Sequence, residues 1–119
     1  MSTHKGDLYE DLVSNSLVAK GWMILAKKYI GGGGEIDIIA VREGELCFIE
    51  VKGRDGIDGG YESIFASMTM KKQRALIACS IDFLQNYENQ IIFDCCYFVL
   101  CGFVGEELFW IENPFDQEG

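Results

Sequence analysis

Histidine, proline and long apolar runs are all scarce in this sequence. Its single histidine is His4 and its single proline is Pro114. The five cysteines are Cys47, Cys79, Cys95, Cys96 and Cys101, and no CxxC pair occurs among them. A zinc site therefore has no ligand set to draw on. The odd number of thiols does not suit a closed disulfide framework, and reduced cysteines acting as small core hydrophobes are expected. No apolar stretch reaches the ~18 residues of a membrane span. The polar, acidic start MSTHKGDLYEDL lacks the pattern of a secretory signal. The expectation is a soluble, cytoplasmic protein with no membrane partner.

Positive charge is scarce as well. The net charge is −9, and residues 91–119 hold six acidic side chains and no Lys or Arg. Residues 1–54 are close to neutral at −1, and residues 55–90 stand at −2. A nucleic-acid binder usually has a basic footprint, so non-specific affinity for a polyanion should be weak. The excess acid is mainly a C-terminal feature. What remains is an ordinary globular composition, 49% hydrophobic and 24% charged, which excludes a disordered chain. A length of 119 residues suits one domain spanning 1–119.

Apolar spacing points to a helix over Lys5–Lys20, with Leu8, Leu12, Val13, Leu17 and Val18 as its apolar residues. Strands are expected at Trp22–Ile30, Glu35–Arg42 and Leu46–Lys52. The run Gly31–Gly34 separates the first two, either as a flexible connection or as a backbone that approaches an anion. Glu43-Gly44 makes a tight turn between the second and third. After the glycine-rich loop Arg54–Gly60, one long helix is expected over Ser63–Asn86. Ile64, Phe65, Met68, Leu76, Ile77, Ile81 and Leu84 would form its buried face. Strands then follow at Ile91–Leu100 and Glu107–Ile111, with a turn at Gly102–Gly105 between them.

The central stretch, GEIDIIAVREGELCFIEVKGR, sets Asp37, Glu50 and Lys52 among Ile, Val and Phe. A carboxylate in such company is costly to desolvate unless something compensates it. Glu50 and Lys52 are two apart on a strand and share a face. A tight turn at Glu43-Gly44 brings Asp37 into register with Glu50 or one pair away. Two converging carboxylates repel unless they share a proton or a cation. Mg²⁺ suits them, because it takes hard oxygen ligands and needs only one or two carboxylates plus water. The Val51 carbonyl could add a ligand, and Lys52 would stand beside the reacting groups. The bland alternative is a solvated hairpin face carrying ordinary cross-strand ion pairs.

The strings GEIDIIA and FIEVKGR resemble the signature of the YraN-like family of uncharacterised bacterial proteins. Those are predicted endonucleases of the PD-(D/E)XK, restriction-endonuclease-like superfamily, distantly similar to archaeal Holliday junction resolvases. Glu10, Lys72-Gln73, Phe93-Asp94 and Trp110-Ile111 extend the likeness over nearly the whole chain. The resemblance implies an α/β fold: a restriction-endonuclease-like αβββαβ core with a mixed central sheet flanked by helices, here with an extra C-terminal strand. It implies Asp37, Glu50, Lys52 and Glu10 as catalytic residues. Asp37, Glu50, the Val51 carbonyl and Glu10 would hold Mg²⁺ or Mn²⁺. Arg54, Lys72, Gln73 and Arg74 would face the substrate, with Lys27 and Lys28 as weaker backbone contacts. Two family cations are missing: Lys28-Tyr29-Ile30 stands for Asn-x-Arg, and Ile92 stands for the Arg of Arg-Phe-Asp.

Two functions follow. One is a Mg²⁺-dependent endonuclease that hydrolyses DNA phosphodiesters, with branched or structured DNA as the implied substrate. The other is a nuclease-fold protein of weak or no activity, acting as a protein- or DNA-interaction module. The acidic C-terminal third, with Phe109, Trp110 and Phe115, would then meet a protein partner, unless those aromatics close the core. A homodimer through the apolar run IIFDCCYFVL is a further expectation.

Overall fold

In a computed structural model, which describes residues 5–54, 60–88 and 91–115, five strands form one mixed sheet. Their spatial order is their chain order: β1 (Met23–Gly31), β2 (Gly34–Arg42), β3 (Glu45–Arg54), β4 (Cys95–Val104) and β5 (Glu107–Glu112). Tight turns make β1–β2, β2–β3 and β4–β5 antiparallel, whereas β3 and β4 are parallel and need a crossover. Helices α2 (Gly60–Ala66) and α3 (Met70–Asn86) provide that crossover, and α1 (Lys5–Ala19) covers the other face. The αβββαβ order and the added last strand are those expected.

Alternation along the strands builds two cores. Leu46, Phe48, Ile39, Val41 and Leu100 pack toward Leu76, Cys79 and Phe83 of α3. Cys47, Ile49, Val51, Ile38, Ala40 and Cys101 pack toward Val13 and Leu17 of α1. Cys47, Cys79 and Cys101 are thus core thiols, whereas Cys95 and Cys96 are free and exposed at the start of β4. Phe109 is buried and Phe115 packs at a tilt against Phe98, so these two C-terminal aromatics belong with the core. Trp110 is more open and tilts against Trp22.

Several details differ from the sequence expectations. The long helix is two, because the chain breaks at Ser67–Thr69 and Thr69 caps a new helix, its side chain accepting from the Lys72 amide at 3.1 Å. The glycine run is a tight turn with positive φ at Gly32 and Gly33, not a loose connection. It lies against α3 so closely that a Cβ on Gly34 would strike the Ala75 carbonyl. β4 begins at Cys95 instead of Ile91 and continues through Gly102. That glycine belongs inside the strand because a Cβ there would collide with the Lys52 carbonyl on β3. Both edges of β4 are taken, by β3 and β5, so its apolar content is core and not a docking edge.

Both long helices also turn a different face inward from the one their apolar residues suggest. α1 buries Glu10 and Ser14 along with Val13 and Leu17, and exposes Leu8, Leu12 and Val18. α3 buries Gln73, Leu76, Cys79, Ser80 and Phe83, and exposes Ile77, Ile81 and Leu84. Phe65 of α2 is exposed too.

Candidate functional site

The β2–β3 hairpin sets the site. Its two-residue turn has positive φ at Glu43 and Gly44, which fixes the register from Arg42–Glu45 to Ile38–Ile49. The next positions along are Asp37 and Glu50, and there the regular ladder stops. Asp37 Oδ2 accepts the Val51 amide N–H at 2.8 Å. A side-chain carboxylate thus replaces a strand carbonyl, and the Asp37 and Glu50 carboxyl groups come close enough to act on each other electrostatically. Glu50 is only 3% exposed. Its compensating charge comes from α3: Lys72 Nζ lies 2.7 Å from Glu50 Oε2.

The start of α3 aims that lysine. Thr69 fixes the first turn, and the buried Gln73 amide donates to the Met68 carbonyl at 2.9 Å across the α2–α3 junction. Cations in the first turn of a helix oppose its macrodipole. Lys71, Lys72 and Arg74 all stand at this end with no acidic residue among them, and for Lys72 the carboxylates across the cleft outweigh that cost.

The electrostatics follow from the geometry. Burial, then the hydrogen bond and repulsion from Glu50, push Asp37 up to about 7, although the Val51 amide and Lys72 pull the other way. Burial disfavours the charge on Lys72. The bond to Glu50 and the attraction of Glu50, Asp37 and Glu35 overcome this, so its pKa is raised. The centre is therefore a carboxyl pair that retains a proton toward neutral pH, with an ammonium alongside.

The other candidates are arranged less tightly. Lys52 is half-buried two residues beyond Glu50, hence on the same strand face. Glu10 is 8% exposed, which rules out the ordinary solvated helix carboxylate. It reaches a cleft of about 230 Å³ lined also by Asp11, Lys27 and Lys28. Lys27 pairs with Asp11 there at 2.8 Å. Lys28 stands across the β1–β2 ladder from Asp37, between the Tyr29–Ile36 and Lys27–Ile38 pairs. Glu10 thus approaches the hairpin from the α1 side, and among the described residues no group of three His, Cys, Asp or Glu side chains converges. Arg74 is exposed and two positions from Lys72, which is nearly the opposite side of the helix. Arg54 closes β3, and its side chain lies outside the described part.

The matching family model, that of uncharacterised protein family UPF0102, covers residues 9–98, from α1 into β4. The chain belongs to the UPF0102 family. It is 34% identical over 118 residues to a UPF0102 protein of Sulfurihydrogenibium sp. (strain YO3AOP1), covering 98% of this chain and 97% of that one. It is 32% identical over 112 residues to a UPF0102 protein of Aeromonas hydrophila subsp. hydrophila, covering 93% and 84%. Over 73 residues it is 45% identical to one from Clostridioides difficile, covering 61% and 62%. The span shared with the UPF0102 model contains Glu10, Asp37, Glu50, Lys52 and Lys72.

The donor set suits a hard divalent cation. Asp37 and Glu50 offer adjoining carboxylate oxygens, with the Lys72 ammonium against Glu50. Mg²⁺ commonly takes one or two carboxylates and completes its shell with water and substrate oxygens, so a third carboxylate in contact is not required. The role of Lys72 as partner of Glu50 is the part the sequence argument did not reach. The available signal was the run of cations against the α3 dipole.

Proposed function

We propose that this UPF0102 chain is a divalent-metal-dependent endonuclease acting on DNA phosphodiesters. The observation that carries the reading is the meeting of Asp37 and Glu50 where the β2–β3 ladder ends, with Lys72 against Glu50. Two converging carboxyl groups, one buried and one half-buried, are destabilising in themselves, and a hard cation would relieve them. Bound Mg²⁺ or Mn²⁺ would supply Lewis acidity toward the phosphodiester and the attacking water. Asp37 and Glu50 would hold the ion, with the Val51 carbonyl and, through water, Glu10 as further donors. Lys52 would stabilise charge developing on the phosphate. Lys72 would balance the charge at Glu50 and, once relieved of that pairing, contact substrate. Gln73 acts by fixing the turn that aims Lys72.

The test is cleavage of linear, flapped and four-way DNA with Mg²⁺ or Mn²⁺. Metal-dependent cleavage abolished by Asp37→Ala and by Lys52→Ala, both still folded, is the expected result. No cleavage of any of these substrates under conditions where the metal binds would overturn the reading. A second reading rests on the Lys72–Glu50 pair. It compensates one carboxylate without any metal, as a non-catalytic module that kept the fold would require. That reading expects no saturable metal binding.

A further inference from the structure

The outer face of α3 carries the reverse of what an unpartnered surface helix should. Such a face is normally polar, yet Ile77, Ile81 and Leu84 are 41%, 48% and 41% exposed while Gln73 and Ser80 are turned inward. With Met70 and Arg74 they form the series 70, 74, 77, 81, 84. Alternating steps of four and three are the seam spacing of two packed helices. An apolar ridge of this kind, interrupted by charge only at Arg74, marks an interaction surface.

We propose that this ridge is a self-docking surface, through which two copies of the chain pair their α3 helices antiparallel about a two-fold axis. Charge selects both the occupant and the direction. Lys71 and Arg74 stand exposed at the N-terminal end, and Glu88 stands exposed just past the C-terminal end. An antiparallel second copy sets each cationic end against an acidic one and opposes the two helix dipoles. A parallel copy would bring like charges together. In the antiparallel seam Ile77 of each copy meets Ile81 of the other, and the contact uses the same patch on both, so it closes at a dimer. A helix of 17 residues is about 25 Å long. One such contact is smaller than a standard stable interface, so the dimer is weak and reversible. It does not depend on the nuclease reading, because Lys72 and Gln73 lie on the inward side of the same helix.

Sedimentation equilibrium of the full chain over a wide concentration range tests this. The wild type should rise from 13.4 kDa toward twice that mass. Ile81→Glu and, separately, Ile77→Lys should stay monomeric with an unchanged far-ultraviolet circular dichroism spectrum. Both positions are solvent-facing, so neither change removes core packing. Arg74→Glu and Glu88→Arg should each weaken pairing roughly 5-fold, summed over the two symmetric contacts, and the double exchange should recover it. A wild type that remains monomeric throughout would overturn the proposal. So would a dimer indifferent to Ile81→Glu, and a double exchange weaker than either single change would overturn the antiparallel arrangement.

Discussion

The two helix-covered faces of the sheet handle polarity in different ways. On the α3 face, a nearly inaccessible glutamate meets a second carboxyl and an ammonium within hydrogen-bonding reach. On the α1 face the strands contribute Cys47, Ile49, Val51, Ile38 and Ala40, an apolar layer. The only buried acid there, among the described residues, is Glu10, at a cleft edge beside two lysines. Farther along the same face a cavity of about 290 Å³ is lined by Trp22, Trp110, Lys20 and Arg42, with Arg42 4.7 Å above the Trp22 ring. Apart from Glu10, the charged side chains lining those two cavities are only partly buried or exposed. The contrast locates the costly electrostatics at one point, the end of the β2–β3 ladder, and makes α3 the helix that compensates it.

Removing the compensation should have the largest effect. Lys72→Met leaves Glu50 buried without its cation and should cost about 3 kcal/mol, less than a fully buried pair because the lysine is partly open to water. Urea denaturation would measure this. Glu50→Gln combined with Lys72→Met should recover most of the loss, whereas Lys27→Met, which breaks an exposed pair, should cost under about 1 kcal/mol. Equal losses for the two lysine variants would erase the distinction between the faces.

The second prediction concerns pH. The Asp37 pKa is raised on folding, from an ordinary carboxylate value to about 7. Its contribution is fully present below the unfolded value and is lost as pH rises through the folded one. Metal-free protein should therefore lose roughly 2 to 3 kcal/mol between pH 4 and pH 8 from this group. Asp37→Asn should flatten that part of the profile, and saturating Mg²⁺ should reverse it, since a cation favours the ionised pair. Denaturation midpoints at a series of pH values, with and without chelator, would check both.

A smaller loss should come from the hairpin that packs on α3. Gly34→Ala drives a methyl group into the Ala75 carbonyl and should cost about 2 kcal/mol, read as a lowered denaturation midpoint. Smallest of all, Arg42→Ala on the α1 face should cost about 0.5 to 1 kcal/mol through the lost stacking on Trp22. If Arg42→Ala proved the more damaging of the two, the α1-face cavity would be carrying more of the fold than its geometry indicates.

Sequence reasoning reached the hairpin because one turn determines it. Glu43-Gly44 sets the register, and the register brings Asp37 to Glu50. The family resemblance places Lys72 toward the substrate, but the pairing of Lys72 with Glu50 was out of reach, since Lys71, Lys72 and Arg74 look alike until the helix phase is known. That phase was obscured by the helices themselves. The Ile77, Ile81 and Leu84 series reads as a core stripe but faces outward, while Gln73 and Ser80, which look like surface residues, are buried. Gly102 reads in the sequence as a turn residue for a similar reason. Its lack of a side chain serves close contact with β3 and not a reversal of the chain.

The most direct test of the central claim is calorimetric titration of Mn²⁺ and Mg²⁺ into wild type and Asp37→Ala, in buffers of different ionisation heat. Saturable binding below pH 7 that releases a proton, and disappears in the variant, is the result expected if the carboxyl pair exists to hold a cation. Absence of binding to the wild type, or binding that Asp37→Ala leaves unchanged, would contradict it.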